Sequence, residues 1–129
     1  LKKSKFSKNV EKLFANSRKI SEKEYSINQI KELPKPVQRY FKYALPEKRS
    51  YISFVRLKHT GELKVKNKWR KIKGEEYFTL EKPGFIWRGK MKFFTGTDSY
   101  YIGKGNLQIK LLNKIKIVDE RSEEIYKKE

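Results

Sequence analysis

The sequence predicts an α+β fold in which N-terminal helices pack on an antiparallel β-meander, a curved sheet or half-barrel. Three observations predict it. Apolar residues recur with a helical period as far as Pro46, the period shortens to two from Tyr51 onward, and compact turn signals divide the alternating runs.

Residues 4–16 place Phe6, Val10, Leu13 and Phe14 on one face of a helix, and the polar stretch up to Tyr25 reads as a connector. Ser26, with Gln29 three residues later, fits a capping box that opens a short helical turn through Ile27, Ile30 and Leu33. Pro34 stops that turn, and Pro36 suits the first turn of the next helix. Val37, Tyr40, Phe41, Ala44 and Leu45 form the expected buried stripe, and Pro46 ends it.

Beyond Tyr51 the odd positions are apolar: Val55 and Leu57, Leu63 and Val65, Phe85, Trp87, Met91 and Phe93, Leu107, Ile109 and Leu111, then Ile115 and Ile117. Between them fall Arg56, Lys58, Lys64, Lys66, Arg88, Lys90, Lys92, Lys110 and Lys116. Alternate strand residues point to opposite faces, so the pattern describes a sheet with one apolar and one cationic face. Turns are expected at residues 66–68, 82–84, 96–98, 103–105 and 113–114. Connections this short imply antiparallel hairpins, with the helices as cover for the apolar face. The 129 residues are expected to make a single domain, with a helical cover over 1–46, a sheet over 51–118 and an acidic tail, frayed or helical, over 119–129.

Aromatic residues make up 14% of the chain, enough buried ring area to argue against disorder despite 37% charged residues. With no cysteine, disulfides, thiol nucleophiles and Cys-ligated metals are excluded. No apolar run approaches the roughly 18 residues that span a bilayer. The net charge of +18 favours polyanions such as nucleic acid or an anionic membrane surface. Compositional drift toward lysine, in a chain poor in alanine, accounts for the charge equally well.

Catalysis requires a nucleophile or an acid/base with a partner. His59, the single histidine, would serve as a base oriented by Glu62 or Glu76, or as a hydrogen-bonded strand-end histidine. Arg56, His59, Glu76 and Asp98 are the candidate polar cluster. Glu75 and Glu76 are adjacent, so a strand sends them to opposite faces. Asp98 also fits a turn-shaping role after Gly96 and Thr97. Gly103-Lys104-Gly105 lacks the spacing of a phosphate loop and reads as a hairpin turn. No cofactor and no metal site is expected. Aromatics interleaved with cations, at 39–43 and 88–94, superficially suit nucleic acid, but these rings fall on core stripes and specific nucleic-acid binding is disfavoured.

The runs Leu33-Pro34-Lys35-Pro36-Val37-Gln38-Arg39-Tyr40-Phe41, Gly74-Glu75-Glu76-Tyr77-Phe78-Thr79, Pro83-Gly84-Phe85-Ile86-Trp87-Arg88 and Asp98-Ser99-Tyr100-Tyr101-Ile102-Gly103-Lys104-Gly105 occur in that order. Together they resemble a prokaryotic family of unknown function, from about Phe14 to Glu129. Members usually continue past the point matching Glu129, and many carry membrane helices upstream. The resemblance therefore implies either missing flanks or a shortened relative, a membrane-associated or extracytoplasmic setting if an upstream membrane segment is missing, and an exposed apolar edge or a homodimer if a second half of the sheet is absent.

The Pro-Gly-Phe-Ile-Trp-Arg run and the following hairpin are also similar to periplasmic lipoprotein carriers, whose curved sheet encloses a lipid-sized cavity. That similarity implies an apolar concavity lined by Phe85, Trp87, Met91, Phe93 and Tyr101, against the alternative of an ordinary packed core. The leading expectation is a non-enzymatic binding domain that holds a lipid or other apolar ligand near a membrane. Two alternatives stay open. One is polyanion binding through a basic face of Lys58, Lys64, Lys66, Arg88, Lys90 and Lys92. The other is an enzyme that uses His59 and Glu76.

Overall fold

Ser4 accepts a hydrogen bond from the Ser7 amide at 3.1 Å and so caps α1 (Lys5–Asn16), with its helical stripe at the predicted positions. The computed structural model describes residues 3–17 and 20–123. The chain forms two compact units: residues 1–18 with 54–129, and residues 19–53.

The larger unit contains one open antiparallel sheet in sequential order: β1 (Phe54–Val65), β2 (Lys68–Thr79), β3 (Gly84–Lys90), β4 (Phe94–Tyr101), β5 (Lys104–Leu111) and β6 (Ile115–Glu123). The fold is thus α+β with a curved six-stranded meander, as the alternating pattern predicts. Three hairpins turn on two left-handed residues each: Lys66 and Asn67, Ile102 and Gly103, Leu112 and Asn113. Paired positive φ angles give a tight turn whose twist matches the strands it joins.

The turn expected at 96–98 lies elsewhere. Gly96 and Asp98 are in the middle of β4, and the chain reverses at residues 91–93, where the Met91 amide donates to the Phe94 carbonyl at 2.8 Å. The acidic segment from Asp119 to Glu123 completes β6 and is neither frayed nor helical, while 124–129 lie outside the described residues. A bulge between Ile109 and Lys110 shifts the pairing, so that Val118, not Ile117, stands opposite Ile109.

Cross-strand partners share a face, so the register defines two surfaces. One carries Val55, Leu57, His59, Glu76, Phe78, Phe85, Trp87, Asp98, Leu107 and Ile109, and we call it the histidine face. The other, the helix face, carries Phe54, Arg56, Glu75, Tyr77, Ile86 and Arg88.

Helix α1 packs on the helix face, contrary to the expectation that it covers the apolar one. Leu13 sits against Gly84, where an added Cβ would lie 2.9 Å from Leu13 Cδ1. Phe14 meets the rings of Phe54 and Tyr77 edge-on, at 5.3 and 5.9 Å. Leu13 and Ile86 are fully buried, each contributing roughly 1.5–3 kcal/mol of transfer free energy. The lysine-rich parity misleads here, because Phe54, Tyr77 and Ile86 interrupt the charges at the end of the sheet where α1 lies. The Arg88 guanidinium, far from repelling the helix, lies 3.8 Å over the Phe6 ring and pairs with Glu75.

The smaller unit is built on backbone pairing between residues 23–25 and 48–51. The Ser26–Gln29 capping box forms as predicted around a short 3₁₀ turn (Ile27–Ile30), and Tyr51 Oη donates to Gln29 Oε1 at 2.9 Å. Pro34 and Pro36 open α2 (Lys35–Ala44), and Gln38 Nε2 donates to the carbonyls of Lys31 and Leu33. The expected buried stripe is not buried: no residue of α2 is, and Val37, Tyr40 and Ala44 are exposed. Its periodicity is that of an amphipathic helix, but Tyr25 and Ile30 supply this unit's buried apolar side chains.

Candidate functional site

The histidine face carries no helix of its own unit. Its centre is a row of three glycines in register, Gly74, Gly89 and Gly96, on three successive strands. Two flat rings lie over this trough. A Cβ on Gly74 would lie 2.1 Å from His59 Nε2, and one on Gly89 2.3 Å from the Trp87 ring. The rings are nearly parallel, 12° apart, and Trp87 Nε1 donates to His59 Nε2 at 2.9 Å. An indole N–H only donates, so this bond requires an unprotonated Nε2 and places the imidazole proton on Nδ1.

Glu76 and Asp98 stand directly opposite Trp87 on either side. Burial pushes the Glu76 carboxyl above the usual carboxylate range; the nearby His59 opposes the shift and Asp98 reinforces it. The structure therefore brings His59, Glu76 and Asp98 to one face. Arg56 is not with them: it lies on the helix face, 5.4 Å over the Tyr77 ring. The hollow beside His59, about 250 Å³, is lined by Lys58, His59, Thr60, Lys73 and Gly74, without either carboxylate. With its Nε2 lone pair held by Trp87, His59 is a positioned ring and not a free base. Among the described residues no group of three His, Cys, Asp or Glu side chains is placed to hold a metal ion.

At the β1–β2 end of the sheet, beside the turn at residues 91–93, lies a basin of about 770 Å³, lined by Val65, Lys66, Lys68, Trp69, Arg70, Lys71, Met91, Lys92, Phe93 and Phe94 from both faces of the β1–β2 hairpin. The structure thus divides the five residues of the predicted apolar set. Phe85 and Trp87 are on the histidine face, Met91 and Phe93 line the basin, and Tyr101 is on the helix face beside Gly84. Sequence reasoning missed Trp69, Phe94 and Val65 as partners of Met91. The available signal was the run Val65-Lys66-Asn67-Lys68-Trp69-Arg70-Lys71, an aromatic embedded in cations at a hairpin tip.

The proposed basic face is divided as well. Lys58, Lys64 and Lys90 lie on the helix face, while Lys66 and Lys92 stand in turns at the basin. Arg88 is occupied by Glu75 and Phe6 beneath α1. Among the described residues, no helix is long and apolar enough to cross a membrane.

Residues 31–129 match the model of a family of unknown function, DUF6920, and the chain belongs to that family. No curated protein and no solved structure matches the chain.

Proposed function

We propose that this member of the family is a non-enzymatic binding domain that holds a lipid or another apolar ligand in the basin at the β1–β2 end of its sheet. The observation that carries the reading is the basin of about 770 Å³, whose lining includes the apolar side chains of Val65, Trp69, Met91, Phe93 and Phe94. Small-molecule sites are concave and mostly apolar, of roughly 300–1,000 Å³, with a few polar groups to fix orientation. Lys68, Arg70 and Lys92 in the same lining are matched to an anionic end group such as a carboxylate, and Arg70 suits a bidentate contact.

Titration of the Trp87→Phe variant with oleate tests the reading, because it isolates the emission of Trp69 in the basin. A saturable blue shift is expected, and Phe93→Ala should weaken the apparent affinity by about tenfold, the loss of one well-packed aromatic anchor. An emission that never saturates, or an affinity indifferent to Phe93→Ala, defeats the reading.

A further inference from the structure

The turns β1–β2, β3–β4 and β5–β6 all lie at one end of the meander, as sequential antiparallel pairing requires. The last two are joined there: the Leu112 amide donates to the Phe93 carbonyl at 2.7 Å, and Thr95 Oγ1 bonds to Asn113 Oδ1. Two properties coincide at this end. Large apolar side chains stand in water, with Trp69 65%, Leu112 59% and Ile115 60% exposed. Around them, residues 63–71, 90–94 and 110–116 carry ten cations and no carboxylate.

The cations are also set against one another. Lys73 stands directly opposite Lys90, and Lys110 opposite Lys116. Like charges in direct register oppose pairing, and only Lys116 among these four has an ion-pair partner among the described residues, Asp119 at 2.8 Å. Exposed rings and like-charge repulsion are both relieved by a partner that is anionic at its surface and apolar just beneath. The interface of an anionic bilayer has that layering: tryptophan prefers the headgroup level, and clustered lysines are drawn to anionic lipid.

We propose that this end of the sheet docks on an anionic membrane, with Trp69, Phe93, Leu112 and Ile115 entering the headgroup region and the surrounding cations facing lipid phosphates. Docking shares Trp69 and Phe93 with the basin, but the β5–β6 turn does not line it, so substitutions at that turn test docking by itself.

The experiment is flotation of the full chain with phosphatidylcholine vesicles, with and without about one-third phosphatidylglycerol. The chain is expected to bind the anionic vesicles, less strongly as salt rises. In the Trp87→Phe background, Trp69 emission should shift to the blue and be quenched by brominated acyl chains. The variant Leu112→Ser/Lys114→Glu should lower partitioning at least about fivefold, since each cation near the surface strengthens adsorption by several-fold. Lys8→Glu, an equal charge change on exposed α1, should lower it less than about twofold. Oleate binding in the basin should be unchanged in both variants, so docking and ligand binding can fail separately. Equal losses in the two variants, or adsorption of the parent protein without quenching of Trp69, overturn the proposal. Preference for a DNA duplex over vesicles at equal phosphate overturns it as well.

Discussion

Trp87 on β3 and His59 on β1 meet across the intervening strand: the indole N–H donates to imidazole Nε2 at 2.9 Å, over the bare Cα of Gly74. Neither residue has a backbone pairing with the other, so the side-chain bond fastens strands that are not neighbours. His59→Phe keeps a ring over Gly74 but removes the acceptor of the indole N–H. It should cost roughly 0.5–1.5 kcal/mol in urea denaturation, the net worth of one such bond. Unchanged stability would show that the bond does not fasten the two strands.

Gly74 is the tightest point of this arrangement. A Cβ there would lie 2.1 Å from His59 Nε2 and 2.3 Å from Cε1, so Gly74→Ala must displace the ring. Overpacking of this kind costs roughly 1–3 kcal/mol. Gly61→Ala, two residues along β1 with nothing within 4 Å of its Cβ, is the matched control. Urea denaturation of the two variants makes the comparison. Equal stability of the two would mean that His59 moves aside without penalty.

Glu76 carries a raised carboxyl pKa because burial disfavours its charge, with His59 opposing and Asp98 adding to the shift. The folded state then holds a proton more tightly than the unfolded chain. Stability contributed by this group is full at acid pH and falls as pH rises through the window between the ordinary and the raised value. Glu76→Gln removes the charge, so it should be more stable than the parent at about pH 7 and lose that advantage near pH 4. Thermal unfolding at the two values checks the sign. A parent more stable than the variant at neutral pH would show that the carboxylate makes a favourable contact in the fold.

The fold was legible because its signals are local. The change from a helical to a two-residue period located the sheet, and Ser26 with Gln29 announced their capping box. Which face α1 covers was not legible. Strand parity counts charges, but Arg88 is compatible with a helix once Glu75 and Phe6 take up its guanidinium. Gly96 misled for a related reason. Glycine signals a turn through its backbone freedom, yet at 96 it provides room, with a Trp87 ring atom 3.3 Å from where its Cβ would be. The glycine row and the basin depend on register across several strands, which no single segment encodes.

Glu75, the immediate neighbour of Glu76, points to the opposite face and is shifted the opposite way. Burial alone would raise its carboxyl pKa, but the Arg88 guanidinium, with the Tyr77 hydroxyl and Arg56, holds it below the usual carboxylate range. The two side chains of the Arg88–Glu75 pair are about one-fifth exposed, and the Nε of Arg88 is buried without a partner. Removing the carboxylate therefore leaves a guanidinium poorly solvated beneath α1. Glu75→Gln should cost roughly 1–3 kcal/mol at neutral pH, as for a buried charged group deprived of its partner. Because the folded pKa is depressed, this contribution is present above the ordinary carboxylate pKa and disappears as pH falls through the depressed value. The stability difference between parent and Glu75→Gln should accordingly shrink on acidification, as that for Glu76→Gln also does, but with the opposite sign at neutral pH. Measured on the same protein, the adjacent substitutions move stability in opposite directions only if each carboxyl occupies the face assigned to it.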